Sequence, residues 1–258
     1  NPALHDKVEF EIVITCFAPD VNERLAELKS HGFSDSDLEK FKIALKTLTE
    51  GAVTESSNSI DELIAQTESI QEHIQGVLRT NPEVDEIPGA LQYFLDDCIE
   101  NGTIPFSILA RNGFIASSFL RGFVAKGVIS EEEKNAVLKG IETVAGDLVS
   151  DMNSVKKGRK TVKSFLARYG HLRPGSYDIT SLSYEEAPEY YFTVSEEKGV
   201  ASDSNEDTSE RVYRFDHFKQ ILSEESMLKI NNALLELNLS FDANTLLNFV
   251  EKATWARE

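Results

Sequence analysis

The residues best suited to chemistry on an anion lie between positions 168 and 177. Arg168, His171, Arg173 and Tyr177 stand in and around the tetrapeptide Arg173-Pro-Gly-Ser, which gathers two guanidiniums, an imidazole and a phenol about one short turn. Fixed cations of this kind form charge-assisted, forked hydrogen bonds to phosphate or carboxylate. A plainer reading stands beside that one. Asp178 could satisfy an arginine internally, and the loop would then be a structural salt bridge and turn. Pro174 and Gly175 suit the two central positions of a type II turn, and Gly170 suits a left-handed cap closing the helix before it.

The surrounding stretch makes the anion reading worth pursuing. Residues 152–177 contain no Asp or Glu, yet they carry Lys156, Lys157, Arg159, Lys160, Lys163, Arg168 and Arg173 in a chain of formal net charge −18. Such segregation is an electrostatic mark of an anion site. The lysines at 156–163 read more simply as a solvated helix face. His5 and Asp6 resemble half of a metal site, but no second cluster supports them. Arg111 and Arg121 lie in the most apolar segment, where each needs an exit to solvent or a carboxylate such as Asp96 or Asp97. The chain has no phosphate-binding Gly-x-x-x-x-Gly-Lys loop, dinucleotide turn, Gly-x-Ser-x-Gly elbow or His-Glu-x-x-His motif. Neither catalysis nor a bound cofactor is expected of this chain alone.

Composition sets the outer limits. With 258 residues, 41% of them apolar, the chain can bury the core of one large domain or two modest ones. A pI near 4.7 opposes approach to nucleic acid or an anionic membrane. No apolar run of membrane-spanning length and no basic-then-apolar leader occur, which fits a soluble, cytoplasmic protein. Cys16 and Cys98 lie in apolar settings without metal-ligand spacing, and both read as buried reduced thiols. The first residue is Asn rather than Met, which fits a piece of a larger protein.

Helical periodicity covers most of the length. Asp20-Val-Asn-Glu23 has the form of an N-cap for a short helix closed by Gly32, and residues 34–51 form a second helix. Residues 52–78 form a long amphipathic helix ended by Asn81-Pro82. A helix at 91–100 stops at Asn101-Gly102. The next, beginning at Thr103-Ile-Pro105 and running to Gly127, is apolar nearly all round and should be central. Ser130-Glu-Glu-Glu133 is a capping box opening a helix of about 40 residues that ends at Tyr169. Final helices occupy 223–237 and 241–258. Alternating apolar residues at 8–16 and aromatic-rich segments at 189–194 and 211–215 read as strands. Residues 195–210, rich in acids and serine, read as a mobile surface loop. The expectation is a single, mainly α domain over residues 1–258: a multi-helix domain with a small antiparallel β-element.

Residues Phe165-Leu-Ala-Arg-Tyr-Gly-His-Leu-Arg-Pro-Gly-Ser-Tyr-Asp-Ile-Thr-Ser181 resemble the central region of proteins related to phosphoenolpyruvate synthase, pyruvate phosphate dikinase and rifampicin phosphotransferase. Those relatives carry a similar Tyr-Gly-x-Arg-x-Pro-Gly-x-x-Asp-Ile sequence. The opening Asn1-Pro-Ala-Leu-His-Asp-Lys-Val-Glu-Phe10, Gly102-Thr-Ile-Pro-Phe-Ser-Ile-Leu-Ala-Arg111 and Leu239-Ser-Phe-Asp-Ala-Asn-Thr-Leu-Leu-Asn-Phe249 are similar as well. The acidic segment around Ser204 has no counterpart. In that family an ATP-grasp domain takes phosphate from ATP and a mobile domain carries it on histidine. The Gly-Gly-x-Thr-Ser-His carrier motif and the ATP-grasp parts are missing here. The resemblance therefore implies a central domain excised from a phosphotransferase. Its implied partners are the ATP-grasp and phosphohistidine domains of the same polypeptide and a small-molecule acceptor. ATP and Mg would serve the full-length protein, with Arg168, His171, Arg173 and Tyr177 beside the transfer position. The alternative is a non-catalytic helical scaffold or protein-interaction module.

Overall fold

In a computed structural model, the described residues are 13–141, 143–175, 178, 180–192 and 216–257, the side chains of 55–59 excepted. They form eleven α-helices and one π-helical turn, with no strand among them. The chain divides into two compact units, one built from 1–141 and 214–258, the other from 142–213.

The first unit is organised around α4 (Ile104–Ala125), preceded by α1 (Val21–Ser30), α2 (Asp35–Arg79) and α3 (Ile87–Asp97). Its sequence is apolar on nearly every side, and Leu109, Ile115, Ala116, Phe119, Leu120 and Phe123 are all buried. Only a helix enclosed by others can satisfy such a surface. Enclosure comes from α2 and from α11 (Ala243–Arg257), whose Leu246, Leu247 and Val250 are buried against the same core. Arg111 and Arg121 are exposed, so each leaves the buried helix for solvent. Buried Glu251 of α11 accepts backbone N–H bonds from Asp216 at 2.6 Å and Phe218 at 2.8 Å, tying α9 (Phe218–Ile221) to the core. The Ser223 hydroxyl accepts from Ser226 N–H at 3.1 Å and caps α10 (Glu224–Glu236).

Several boundaries differ from the sequence reading. Residues 34–51 and 52–78 are one helix of 45 residues, with Gly51 passing through its middle. A lone glycine costs a helix about 1 kcal/mol, too little to end one packed along its length. Asn101-Gly102 does not stop the chain either, because Cys98–Thr103 forms a π-helical turn that leads directly into α4. At Asp20 no side-chain cap bond forms, and Glu23 pairs with Lys126 instead. Cys16 is buried as expected, whereas Cys98 is exposed.

The capping box opens α5 as read: the Ser130 hydroxyl accepts from Glu133 N–H at 3.1 Å, and the Glu133 carboxylate accepts from Ser130 N–H at 2.8 Å. That helix ends after ten residues, so the 40-residue helix is replaced by α5 (Glu131–Gly140), α6 (Val144–Lys156) and α7 (Val162–Tyr169). Thr143 and Thr161 restart the chain, their hydroxyls accepting from Gly146 and Ser164 N–H, both at 3.1 Å. Gly158 ends α6 with φ +66, a conformation that glycine adopts without Cβ strain.

In the second unit α6 and α7 pack as a hairpin over an aromatic cluster. Phe165 meets Tyr169, Tyr184 and Phe192 at ring separations of 4.9, 5.3 and 5.0 Å. The strand expected at 189–194 is absent over its described part, where α8 (Pro188–Tyr191) is a single helical turn. Pro188 at its start has the fixed φ that a first helical turn needs, and Tyr191 and Phe192 turn into the cluster. Residues 13–16 are not extended into a strand. Residues 8–12, 193–194 and 211–215, the acidic segment 195–210, and His5 with Asp6 lie outside the described residues.

Candidate functional site

The Arg-Pro-Gly loop is built by α7 and by a segment that folds back on it. Tyr184 N–H donates to Leu172 O at 3.1 Å and Glu185 N–H to Gly170 O at 3.0 Å, so residues 170–172 and 184–185 are stitched together. Ser183 and Glu186 form a second reciprocal cap: Ser183 N–H donates to the Glu186 carboxylate at 2.7 Å, and Glu186 N–H to the Ser183 hydroxyl at 3.3 Å. These bonds fix the Glu186 carboxylate opposite Arg173.

The turn itself is not type II. Gly175 does not have positive φ, which a type II turn requires at its third residue. Gly170 is right-handed, with φ −54 and ψ −37, rather than a left-handed cap. The need for glycine at 175 is instead steric, since a Cβ there would lie 2.6 Å from the Ser181 hydroxyl.

Each arginine has an internal partner. Arg173 donates to the Ser181 carbonyl and contacts the Glu186 carboxylate at 3.1 Å. The backbone N–H and hydroxyl of Ser183, then Arg173, hold the Glu186 carboxyl below its ordinary range. Asp178, the partner that sequence proximity favours, accepts from the Thr180 hydroxyl and, at 2.9 Å, from Thr180 N–H. Arg168 donates to Asp147 at 3.0 Å, lies 3.7 Å from Asp151, and sits 5.0 Å above the Tyr169 ring. Lys160 also reaches Asp151, at 3.0 Å. Burial, with Asp151 alongside, pushes the Tyr169 phenol up to about 12. His171 is exposed, and Tyr177 lies outside the described residues.

The charge segregation seen along the sequence is therefore cancelled in space at three of its seven cations, Lys160, Arg168 and Arg173. Asp147 and Asp151, four residues apart on α6, stand on one face and meet Arg168 and Lys160 across the hairpin. Both aspartates lie just before the acid-free stretch 152–177, outside the residues whose types suggested an anion site. Their spacing and the Ser183-x-x-Glu186 box were the available signals. Lys156, Lys157, Arg159 and Lys163 are exposed around the α6–α7 turn, as a solvated face should be. An anion reaching Arg168 or Arg173 meets a cation already neutralised by carboxylate, though 43% of each arginine side chain remains exposed.

No group of three or more His, Cys, Asp or Glu side chains among the described residues could hold a metal ion. No described helix is long and apolar enough to cross a membrane. Comparison with protein-family models, curated proteins and solved structures finds no match for this chain.

Proposed function

We propose that this chain is a helical, non-nucleotide-binding region of a phosphoenolpyruvate synthase-like phosphotransferase, where it presents a docking surface to the mobile phosphohistidine domain and its acceptor. One observation carries the reading. Where it is described, the segment that bears the sequence resemblance is braced from within, with Arg173 clamped between the Ser181 carbonyl and Glu186, and His171 left exposed beside it. A loop fixed before its partner arrives loses little conformational freedom on docking. ATP and Mg would act on the ATP-grasp part of the full-length protein, outside this chain.

The internal pairing of both arginines favours a second reading, in which the chain is a non-catalytic scaffold and the clamp only holds α7 to the segment at 183–186. Arg173→Ala separates the two. In the full-length phosphotransferase, docking predicts a fall of about tenfold or more in turnover or acceptor affinity. In the isolated chain, a scaffold predicts a lower melting temperature and flat calorimetric titrations with inorganic phosphate and phosphoenolpyruvate. Unchanged turnover and acceptor affinity in the full-length variant would sink the docking assignment.

A further inference from the structure

An apolar ridge on α3 carries a separate inference that does not rest on the Arg-Pro-Gly loop. Ile87, Leu91 and Leu95 repeat at four-residue steps along the helix, and Ile99 follows in the π-helical turn. Residues at that spacing stack beside one another on a helix surface. The inward side of α3 is formed by Ala90, Phe94 and Asp97, the last buried and bonded to His73 at 2.8 Å and Asn101 at 2.7 Å. The ridge itself faces away: its four aliphatic side chains are between 42% and 62% exposed. A run of exposed aliphatic residues this regular marks an interaction surface more than a scatter of single apolar residues does.

Charge identifies the occupant. Residues 80–110 hold six carboxylates and no Lys or Arg, and five of them, Glu83, Asp85, Glu86, Asp96 and Glu100, are exposed on α3 or within a few residues of its ends. A second copy of the same surface, or an anionic membrane, would bring like charge against this rim. We infer that the α3 ridge is the docking site for a basic amphipathic helix of another protein or domain. Its apolar face would lie along Ile87, Leu91, Leu95 and Ile99, with lysines or arginines set against the acidic rim. This is packing of one apolar helix face on another, with an electrostatic guide.

The test uses the 258-residue chain and a fluorescent peptide of about 18 residues containing only leucine and lysine, with leucines at helical spacing. Saturable binding is expected, weakening several-fold between about 50 and 300 mM salt. The double variant Leu91→Ser, Leu95→Ser should lose about tenfold or more in affinity while keeping its helical circular dichroism, since both side chains are exposed. Equal binding of a scrambled peptide of the same composition would reduce the effect to nonspecific attraction and overturn the site. Equal binding of a leucine–glutamate peptide would remove the charge argument. Undiminished binding by the double variant would move the site elsewhere. Self-association in sedimentation that the double variant abolishes would assign the ridge to a second copy instead.

Discussion

Cys16 and Cys98 show what a sequence can and cannot convey about a single side chain. Cys16, beside Phe17 and Ala18, is sealed in the first unit's core, while Cys98, set between Asp96-Asp97 and Ile99-Glu100, reaches the surface on the π-helical turn. Burial pushes the Cys16 thiol up to about 11, so little of it is thiolate at about pH 8. A disulfide-exchange reagent should therefore label one thiol rapidly in the native protein and the second only on unfolding. Cys98→Ser should abolish the fast phase, and two equally fast thiols would contradict the buried position. The arginines follow the same logic. Arg168 and Arg173 were legible as the interesting cations because they stand around a Pro-Gly turn that can hold a guanidinium fork in a fixed direction. Their partners were not, because Asp147 lies 21 positions before Arg168 and Glu186 lies 13 after Arg173. Only the hairpin and the fold-back segment bring those charges together.

At the scale of elements, helices with serine caps were readable and the continuity between them was not. Ser34, Ser130 and Ser223 each mark a real start, because a hydroxyl accepting an otherwise unpaired N–H is a local event. Thr143 and Thr161 do the same work but were hidden inside a periodic pattern that continues across the breaks. Aromatic-rich 189–191 looked like strand because composition alone cannot separate a β-segment from a turn that feeds an aromatic cluster. Whether a glycine interrupts a helix depends on what it touches, and two substitutions test this. Gly51 has nothing within 4 Å of where a Cβ would lie, so Gly51→Ala should stabilise the protein by about 0.5–1 kcal/mol. Gly122 would place its Cβ 2.8 Å from the Pro19 ring, and Gly122→Ala should destabilise by about 1–3 kcal/mol. Opposite signs in chemical denaturation are the expected result. The capping box at α5 adds a pH dependence. The Ser130 N–H and the Ser226 hydroxyl hold the Glu133 carboxyl below its ordinary value of 4.5. Its contribution is fully present above that value and is lost as pH falls through the lower folded value. The melting temperature should thus fall on acidification below about pH 4.5, and more shallowly in Glu133→Gln. An identical slope in that variant would show that the bond between α5 and α10 carries none of the acid sensitivity.

The whole molecule joins two units of very different core size, and this predicts how it comes apart. The first unit buries an apolar core shared by α1, α2, α4, α10 and α11, whereas among the described residues of the second the buried cluster is the quartet Phe165, Tyr169, Tyr184 and Phe192. A small core stabilises its unit by less, so regions with few buried contacts open first. Reporters are already placed to distinguish the two. The only tryptophan, Trp255, lies on α11 in the first unit, and six of the seven tyrosines fall in 142–213. On heating, the near-ultraviolet dichroism of tyrosine should be lost before the emission of Trp255 shifts. Phe165→Ala removes the ring that touches the other three members of the quartet, at a cost of about 3–5 kcal/mol. That loss should abolish the early tyrosine transition while leaving the tryptophan transition within a few degrees of its original position. If both signals instead change together in the wild type, and Phe165→Ala moves both equally, the two units unfold as one cooperative body. The aromatic quartet would then owe its order to the larger core, and the Arg-Pro-Gly loop, which is anchored on Tyr169 and Tyr184, would inherit its rigidity from the same source.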